Sequence, residues 1–325
     1  MTKRVFSGIQ PTGEIHIGNY LGALRNWVAL QEDYDAIYCV VDMHAITVPY
    51  DPTTLAASRL KTAKALLAVG VDPQRSLLYF QSQVPQHAEL AWILGADTPL
   101  GSLNRMTQFK DKSDKVGQKL GLFSYPVLMA ADILVHKAHA VPVGDDQTQH
   151  LELTRDIAVR FNGKFGDTFP VPEQITPEVG ARIMSLQDPF AKMSKSDPDA
   201  SSRILVFDEP DAIVKKLKRA VTDSGAEIRY DVAEKAGISN LLEIFSLFTG
   251  KTIDALVDEC AGMQYGTFKV AVADAVVDGL TPIRTKYKAL DNEEVSRLMA
   301  KGALDARMRA EQEMGGVRKL VGLAG

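Results

Sequence analysis

Two lysines and two serines lie close together in the stretch 189–196, which reads Pro-Phe-Ala-Lys-Met-Ser-Lys-Ser. The four polar side chains are those of Lys192, Ser194, Lys195 and Ser196. The sequence Asp-Pro-Asp follows directly at 197–199, which favours a loop over the interior of a helix. Ammonium and hydroxyl donors on a loop suit a polyanion whose charge shifts during reaction, such as a triphosphate. A solvated surface loop is the alternative for this stretch taken alone.

A second stretch, 8–19, reads Gly-Ile-Gln-Pro-Thr-Gly-Glu-Ile-His-Ile-Gly-Asn. A β-rich run precedes it at 4–7, and apolar residues recur at helical spacing after it. A strand, a glycine-bearing turn and a helix form half of a mononucleotide-binding unit, whose helix N-terminus offers free N–H groups to anions. Gly18 would allow close approach of a ligand, while His16 either contacts phosphate or is a helix-end residue without a role.

Together the two stretches resemble the paired signatures of the class I aminoacyl-tRNA synthetases. The first resembles the "HIGH" motif of that family but ends in Asn19 instead of His, and 192–196 matches the "KMSKS" loop letter for letter. Both motifs in this order, about 175 residues apart, are far more specific than either alone. The resemblance covers essentially the whole chain. It is strongest to the bacterial tryptophanyl branch of the tyrosine/tryptophan subclass, with the tyrosyl branch as the nearest alternative.

The order of elements predicts an α/β fold, a doubly wound parallel-sheet (Rossmann-like) catalytic domain with a smaller all-helical domain. Apolar strands at 36–41, 76–80 and 141–143 alternate with helices, which is typical of a parallel sheet. We predict a linker at 169–180 and a return to the sheet at 180–185. From about residue 208 only helices follow, at 211–221, 240–248, 253–259, 267–288 and 293–321, the last with poor caps. We predict three regions. The catalytic domain, 1–189, contains the ATP and amino-acid sites. A helical domain, 190–285, begins with the lysine loop, and a C-terminal stretch, 286–325, packs back on the catalytic domain.

The resemblance implies an ATP site. It gives catalytic roles to Lys192, Ser194, Lys195 and Lys112, the last as a contact of the leaving pyrophosphate. It implies ATP contacts from Gln10, Pro11, Thr12, His16, Gly18, Asn19, Gly144, Asp145, Asp146, Ile183, Lys192, Met193, Ser194, Lys195 and Ser196. The cationic run 105–115 that contains Lys112 could equally be a solvated face. The resemblance implies Mg²⁺ held by the ATP phosphates, and no metal site on the protein.

One predicted helix carries an isolated carboxylate. Tyr125, Met129 and Asp132 are spaced so that they share a helix face. A carboxylate on an apolar face is costly without a partner, which is either an arginine elsewhere in the fold or an N–H donor on a ligand. The resemblance implies the second, in a tryptophan site made of Phe6, Gly8, Gln10, Tyr125, Met129, Asp132, Val141, Val143 and Gln147.

Phe6 bears on the choice between the two branches. The tyrosyl branch has a tyrosine hydroxyl at this position for its substrate, and Phe6 cannot form that hydrogen bond. Gln10 stands where that branch has an aspartate for the substrate's ammonium group. Because Asp132 can accept one indole N–H between apolar walls, and because such pockets reject analogues that lack the donor, tryptophan fits better.

Net charge and cysteine content limit the kinds of nucleic-acid and metal binding expected of this protein. The net charge of −4 argues against broad nucleic-acid binding but leaves open a local basic face for one RNA. The basic cluster at 215–219 contacts tRNA or is a solvated helix face, with the second favoured. Cys39 and Cys260 are too few for zinc or for the iron–sulfur cluster of some relatives, and we expect both reduced in a cytoplasmic protein without membrane span or secretion signal.

The resemblance implies a two-step reaction. The carboxylate of L-tryptophan attacks the α-phosphate of ATP, and tryptophan then passes to the 3′ end of tRNA(Trp). The resemblance also implies a homodimer. Two other classes stay open, a small-molecule nucleotidylyltransferase and a non-catalytic paralogue that binds RNA or senses a ligand. The helical domain argues against the first and the intact lysine loop against the second.

Overall fold

The computed structural model describes residues 2–107, 117, 119–144, 147–175, 182–195 and 197–324. The chain folds into two compact units. The first comprises Met1–Thr12, Trp27–Glu178 and Asp291–Gly325, and the second comprises Gly13–Asn26 and Val179–Leu290. The functional domains expected at 1–189, 190–285 and 286–325 remain a prediction.

The five strands of the described residues lie in the first unit and run parallel. They are β1 Arg4–Ile9, β2 Asp35–Val40, β3 Ser76–Phe80, β4 Ala140–Pro142 and β5 Glu173–Ile175, in the order β3-β2-β1-β4-β5. Strand addition changes direction between β1 and β4, so the carboxyl ends of these two strands flank the switch point where ligands bind in such sheets. The predicted parallel α/β fold is confirmed.

The helices largely follow the apolar periodicity. In chain order they are α1 Ile17–Asn19, α2 Arg25–Leu30, α3 Asp42–Ala45, α4 Pro52–Val69, α5 Gln86–Asp97, α6 Leu100–Asn104, α7 Leu120–Leu134, α8 Thr148–Phe165, α9 Pro210–Lys218, α10 Ala236–Thr249, α11 Ile253–Glu259, α12 Tyr265–Ala289 and α13 Asn292–Leu320. A π-helical segment, Tyr20–Leu24, joins α1 to α2. No helix in the described ranges is both long and apolar enough to span a membrane.

The core of the first unit explains the sheet's composition. Strands β2 and β3 are buried along almost their whole length, because helices cover them, and they read as continuous apolar runs. The last helix, α13, packs on β3. It passes so close to the strand that a Cβ added at Gly302 would lie 2.0 Å from the carbonyl oxygen of Leu78. Asp291 caps α13 by accepting the backbone N–H groups of Glu293 and Glu294, so the expectation of poor caps is wrong at this end.

Two short stretches differ from the sequence-based expectation. Strand β5 lies within 169–180, which was predicted to be a linker. The predicted return to the sheet at 180–185 is wrong for the described residues 182–185, because Met184 instead forms an isolated antiparallel bridge with Lys192. In the second unit α9 and α10 pack on α12 around buried aliphatic and aromatic side chains.

Candidate active site

Asp132 lies on α7 in the first unit and is only 1% exposed. Gln81 donates its side-chain Nε2 to Oδ1 at 2.7 Å, and His44 Nε2 lies 2.7 Å from Oδ2. His87 Nδ1 lies 2.7 Å from Oδ1, in a short contact that is bent away from a linear hydrogen bond. Three polar side chains therefore surround the carboxylate that the sequence singled out.

The environment keeps Asp132 ionised. Burial by itself raises the pKa of a carboxyl group, but the contacts with His44 and His87 outweigh it and lower the pKa of Asp132 to about 2. The sequence analysis left open whether the partner of Asp132 is an arginine or an N–H on a ligand. The structure shows that its protein partners are two histidines and a glutamine. Of the described residues, only His44 forms a hydrogen bond with Oδ2, so that oxygen can still accept one more N–H.

Apolar side chains of the predicted pocket lie in the same unit. Phe6 on β1 and Val141 on β4 occupy neighbouring strands and are buried, as is Val143, while Met129 is half-buried. Tyr125 is also buried, and its hydroxyl lies 2.7 Å from His150 Nε2. The ring of Tyr125 meets the ring of His44 edge-on at 6.2 Å, which links it to Asp132.

Four further predicted residues lie at or near the carboxyl ends of β1 and β4. Gln10 directly follows β1, Gly144 follows β4 after one residue, and both are exposed, while Gln147 is half-buried at the start of α8. A Cβ added at Gly8 would lie 2.8 Å from Val41 Cγ1, so glycine permits the close packing of β1 on its neighbour. The position of these residues at the switch point is suited to ligand binding, and their individual contacts stay predictions.

The sequence analysis missed His44, Gln81 and His87. His44 and Gln81 follow the ends of β2 and β3, and the rule that ligand sites lie at strand ends could have marked both. His87 has no such signal, because it lies inside α5 and contacts Asp132 only through the tertiary fold.

The upstream turn belongs to the second unit. His16 is 4% exposed and caps α1, where its Nδ1 accepts the backbone N–H of Asn19 at 3.3 Å. The Asn19 side chain accepts the backbone N–H of His16 in return, also at 3.3 Å. Asparagine at the last motif position therefore completes a capping box.

Backbone bonds join this turn to the segment that follows the lysine loop. The N–H of Ile17 donates to the carbonyl of Ile204 at 2.9 Å, and the N–H of Val206 donates to the carbonyl of Ile15 at 2.9 Å. Residues 13–19 of the first signature and the described residues of the lysine loop, far apart in sequence, therefore lie in one compact unit.

Two glycines of the turn allow close side-chain packing. Gly13 has a φ of +66°, and a Cβ there would lie 3.4 Å from Cδ of Lys195, so the stem of this lysine lies on the turn. A Cβ at Gly18 would lie 3.0 Å from the His16 ring and 3.7 Å from Ile183. Any side chain at Gly18 would thus displace the imidazole.

A hairpin-like connection holds the lysine loop. The N–H of Met193 donates to the carbonyl of Ile183 at 3.0 Å, and Asn240 binds both the N–H and the carbonyl of Met184. Ile183 and Met193 are buried, Ser194 and Lys195 are half-buried, and Lys192 is exposed.

The surroundings of His16 are electropositive. Burial, followed by the charges of Lys195, Arg203 and Lys192, lowers its pKa to about 4, so the ring is neutral at physiological pH. Burial also lowers the pKa of Lys195. Arg203, which the sequence analysis missed, donates to the carbonyl of Asp197 at 2.8 Å and so braces the end of the loop. Such a set of cations suits a polyanionic ligand.

Four predicted site residues, Lys112, Asp145, Asp146 and Ser196, lie outside the described residues. The remaining predicted ATP contacts divide between the units, with Gln10, Pro11, Thr12 and Gly144 in the first and the others in the second. In the described ranges no group of three or more His, Cys, Asp or Glu side chains is arranged to hold a metal ion.

Comparison with known proteins identifies the family. Residues 2–281 match the model of the class I tRNA synthetases of the W and Y group. The chain belongs to this family. It is 53% identical over 322 residues to the tryptophan–tRNA ligase of Caldanaerobacter subterraneus subsp. tengcongensis, covering 99% of this chain and 98% of the relative.

Solved structures agree with this family assignment. The tryptophanyl-tRNA synthetase of Mycoplasma pneumoniae superimposes with a TM-score of 0.89 at 35% identity, covering 99% of this synthetase and 98% of the other chain. The Campylobacter jejuni enzyme, solved in complex with ADP and tryptophan, gives 0.86 at 37% identity, covering 98% and 100%. The family resemblance drawn from the two motifs is confirmed.

Proposed function

We infer that this synthetase is a tryptophan–tRNA ligase, which uses ATP to activate L-tryptophan and then transfers it to tRNA(Trp). The observation that carries the amino-acid assignment is Asp132, an ionised and buried carboxylate with apolar side chains in the same unit. The full-length similarity to a curated tryptophan–tRNA ligase supports the same function.

Tryptophan recognition follows from the chemistry of the site. Asp132 Oδ2 accepts the indole N–H, while Phe6, Met129, Val141 and Val143 provide flat apolar contacts. The phenol O–H of tyrosine projects from the far end of a smaller ring and not from the side where indole carries its N–H, and phenylalanine has no donor. Buried groups left without their partner make such a pocket selective.

Activation needs positioning and charge stabilisation more than a protein nucleophile. An oxygen of the substrate carboxylate attacks the α-phosphorus of ATP and forms the new P–O bond. The bond from that phosphorus to the bridging oxygen breaks, and pyrophosphate leaves with the electron pair. We propose that Lys195, Lys192 and Ser194 stabilise the charge that develops on the leaving phosphates, with the neutral His16 donating from Nε2.

We also propose the cofactor and the binding partners. Mg²⁺ is carried by the ATP phosphates, and transfer uses the terminal adenosine of tRNA(Trp) as acceptor in the cytoplasm. The family resemblance implies a homodimer, and Trp92 on α5 and Leu120 on α7, which are 81% and 80% exposed, are candidates for its interface.

The decisive test is amino-acid-dependent exchange of pyrophosphate with ATP. Tryptophan should support exchange, whereas tyrosine and phenylalanine should not. In Asp132→Asn the tryptophan-dependent kcat/KM should fall about 100-fold, because an amide loses an acceptor and leaves buried donors unpaired.

Asp156→Asn is the matched control, since Asp156 is an exposed carboxylate on α8 of the same unit. It should leave exchange unchanged. Tyrosine-dependent exchange would overturn the substrate assignment. If none of the three amino acids supports exchange, the proposed reaction is overturned.

A further inference from the structure

A chain of buried polar side chains continues behind Asp132. Tyr79 and His87 are 0% exposed, and His136 is 1% exposed. The Tyr79 hydroxyl lies 2.9 Å from His87 Nε2 and 2.7 Å from His136 Nε2. His87 Nδ1 lies 2.7 Å from Asp132 Oδ1, in the short and bent contact described above, so the series of contacts reaches the carboxylate.

His136, at the far end of this series of side chains, determines where the protons lie. Burial lowers the pKa of His136 well below its usual value, so its ring carries one proton. Its Nδ1 has no hydrogen-bond partner among the described side and main chains. A buried donor without a partner is rarer than a buried acceptor without one, so the proton belongs on Nε2, where it points to Tyr79.

The remaining positions follow in order. Tyr79 accepts from His136, which leaves its own proton for His87 Nε2 at 2.9 Å or for the Cys39 sulfur, and the imidazole nitrogen is the stronger acceptor. That nitrogen is then an acceptor, and the ring proton of His87 lies on Nδ1, facing Asp132. A bare Nδ1 at 2.7 Å from a carboxylate oxygen would bring two electron-rich atoms into repulsion, whereas an N–H there is attracted to the carboxylate even in the bent contact.

We propose that Tyr79 and His136 are positioning residues for substrate recognition, because they fix the proton of His87 on the nitrogen that faces Asp132. The inference rests on the proposed role of Asp132 in binding the indole N–H. With His44 and Gln81 donating as well, all three protein contacts supply protons, and the carboxylate stays ionised and oriented. His136 also stacks on Phe6 at 6.1 Å, so the same residue touches a wall of the proposed pocket.

The neighbouring thiol does not change this order. Cys39 lies beside the Tyr79 hydroxyl, and burial raises the pKa of its thiol, so it remains protonated. A thiol is a weak donor, and the tyrosine oxygen has a second lone pair that can accept it.

Tyr79→Phe is the sharpest test because it deletes one oxygen atom that does not touch the substrate. His87 and Asp132 lie between that atom and the proposed indole N–H. We expect the Kd for tryptophan to rise about tenfold, as for loss of one buried hydrogen bond. The Kd for the isostere β-(3-benzothienyl)alanine, in which sulfur replaces the indole N–H, should change less than about twofold. Calorimetric titration of both ligands gives the comparison.

Tyr38→Phe is the matched control. Tyr38 lies on β2 next to β3, is fully buried, and donates its hydroxyl to the carbonyl of Trp27 at 2.5 Å, away from the chain behind Asp132. Its loss should lower thermal stability without changing the preference for tryptophan over the isostere. Equal weakening of both ligands in Tyr79→Phe, or no weakening at all, would overturn the inference.

The test separates this inference from the proposed function. Equal wild-type affinity for the two ligands would overturn the indole contact with Asp132, and this inference with it. The ring ¹⁵N resonances of the six histidines give a readout without substrate. They should show His87 protonated at Nδ1 and His136 at Nε2, with His87 becoming a mixture of tautomers in Tyr79→Phe. A bare His87 Nδ1 in the wild type would overturn the inference even if tryptophan binds as proposed.

Discussion

His16 and Asn19 cap each other across the first turn of α1, each accepting the backbone N–H of the other. Because Nδ1 of His16 is the acceptor, a neutral ring carries its proton on Nε2. The asparagine in place of the family's usual histidine is thus explained by local structure, since its side-chain oxygen completes the cap.

The buried His16 predicts a loss of stability in mild acid. Its pKa is about 4 in the folded protein and 6.5 as a free side chain, so between these values the unfolded state binds the proton more strongly. The contribution is fully present above about pH 6.5 and is lost as the pH falls towards 4. Between pH 7 and pH 5, the free energy of unfolding should fall by about 2 kcal/mol more in the wild type than in His16→Gln.

Urea denaturation at pH 7 and pH 5 measures this difference. The control is His139→Gln, which alters an exposed histidine. If His16→Gln loses as much stability between the two pH values as the wild type, the depressed pKa is incorrect.

Lys195 should matter for chemistry more than for amino-acid binding. In Lys195→Ala the rate of tryptophan-dependent pyrophosphate exchange should fall about 100-fold or more, since a charge that stabilises the leaving phosphates is lost. The Kd for tryptophan should change less than about threefold, within the range of a peripheral effect. An equal loss in rate and affinity would contradict the role assigned to the loop.

Lys218→Ala is the control for that experiment and also tests the basic cluster at 215–219. Lys218 is exposed on α9 in the same unit as Lys195. Exchange should be unchanged in this variant, and so should aminoacylation of tRNA if the cluster is a solvated face. A selective loss of aminoacylation would assign the cluster to tRNA instead.

Gly302 allows α13 to pack against β3, and alanine there should be strongly destabilising. The added methyl group would overlap the carbonyl oxygen of Leu78, and relieving that overlap should cost about 3 kcal/mol. Gly316 in the same helix has nothing within 4 Å of an added Cβ, so Gly316→Ala should stabilise by about 0.5–1 kcal/mol. Thermal melts of the two variants should shift in opposite directions, and a shared direction would contradict the close packing.

Neither cysteine should react in the folded protein. Cys39 and Cys260 are buried, and burial raises the pKa of both thiols. With Ellman's reagent at pH 8, both should react only after denaturation in guanidinium chloride. Fast reaction of one thiol in the native protein would show that its site opens readily.

The sequence contained enough signal for the fold class. Long apolar runs predicted β2 and β3, and helical periodicity predicted most of the helices after residue 208. Strand β5 was missed because its three residues are largely exposed at the sheet edge and carry no apolar pattern. Ile183 and Met184 were wrongly assigned to a strand, because a short apolar run does not by itself distinguish a strand from another buried segment.

The site was predictable only where residues carry a motif. The lysine loop and the upstream turn could be found by their spacing, and Asp132 by its isolation on an apolar helix face. Its partners His44 and Gln81 lie 88 and 51 residues away along the chain, and such contacts depend on the tertiary fold. The π-helical segment Tyr20–Leu24 likewise has no signature in apolar spacing.

The second unit is assembled from two separate stretches, so it cannot be obtained by one cut in the gene. The chain passes between the units at Thr12–Gly13, Asn26–Trp27, Glu178–Val179 and Leu290–Asp291. A fragment of 179–290 would lack Ile15 and Ile17, whose backbone groups bond to those of Val206 and Ile204, and the freed groups would face water. A split version of this enzyme would therefore need the peptide 13–26 supplied in trans, as a complementing piece that restores the motif and the fold together.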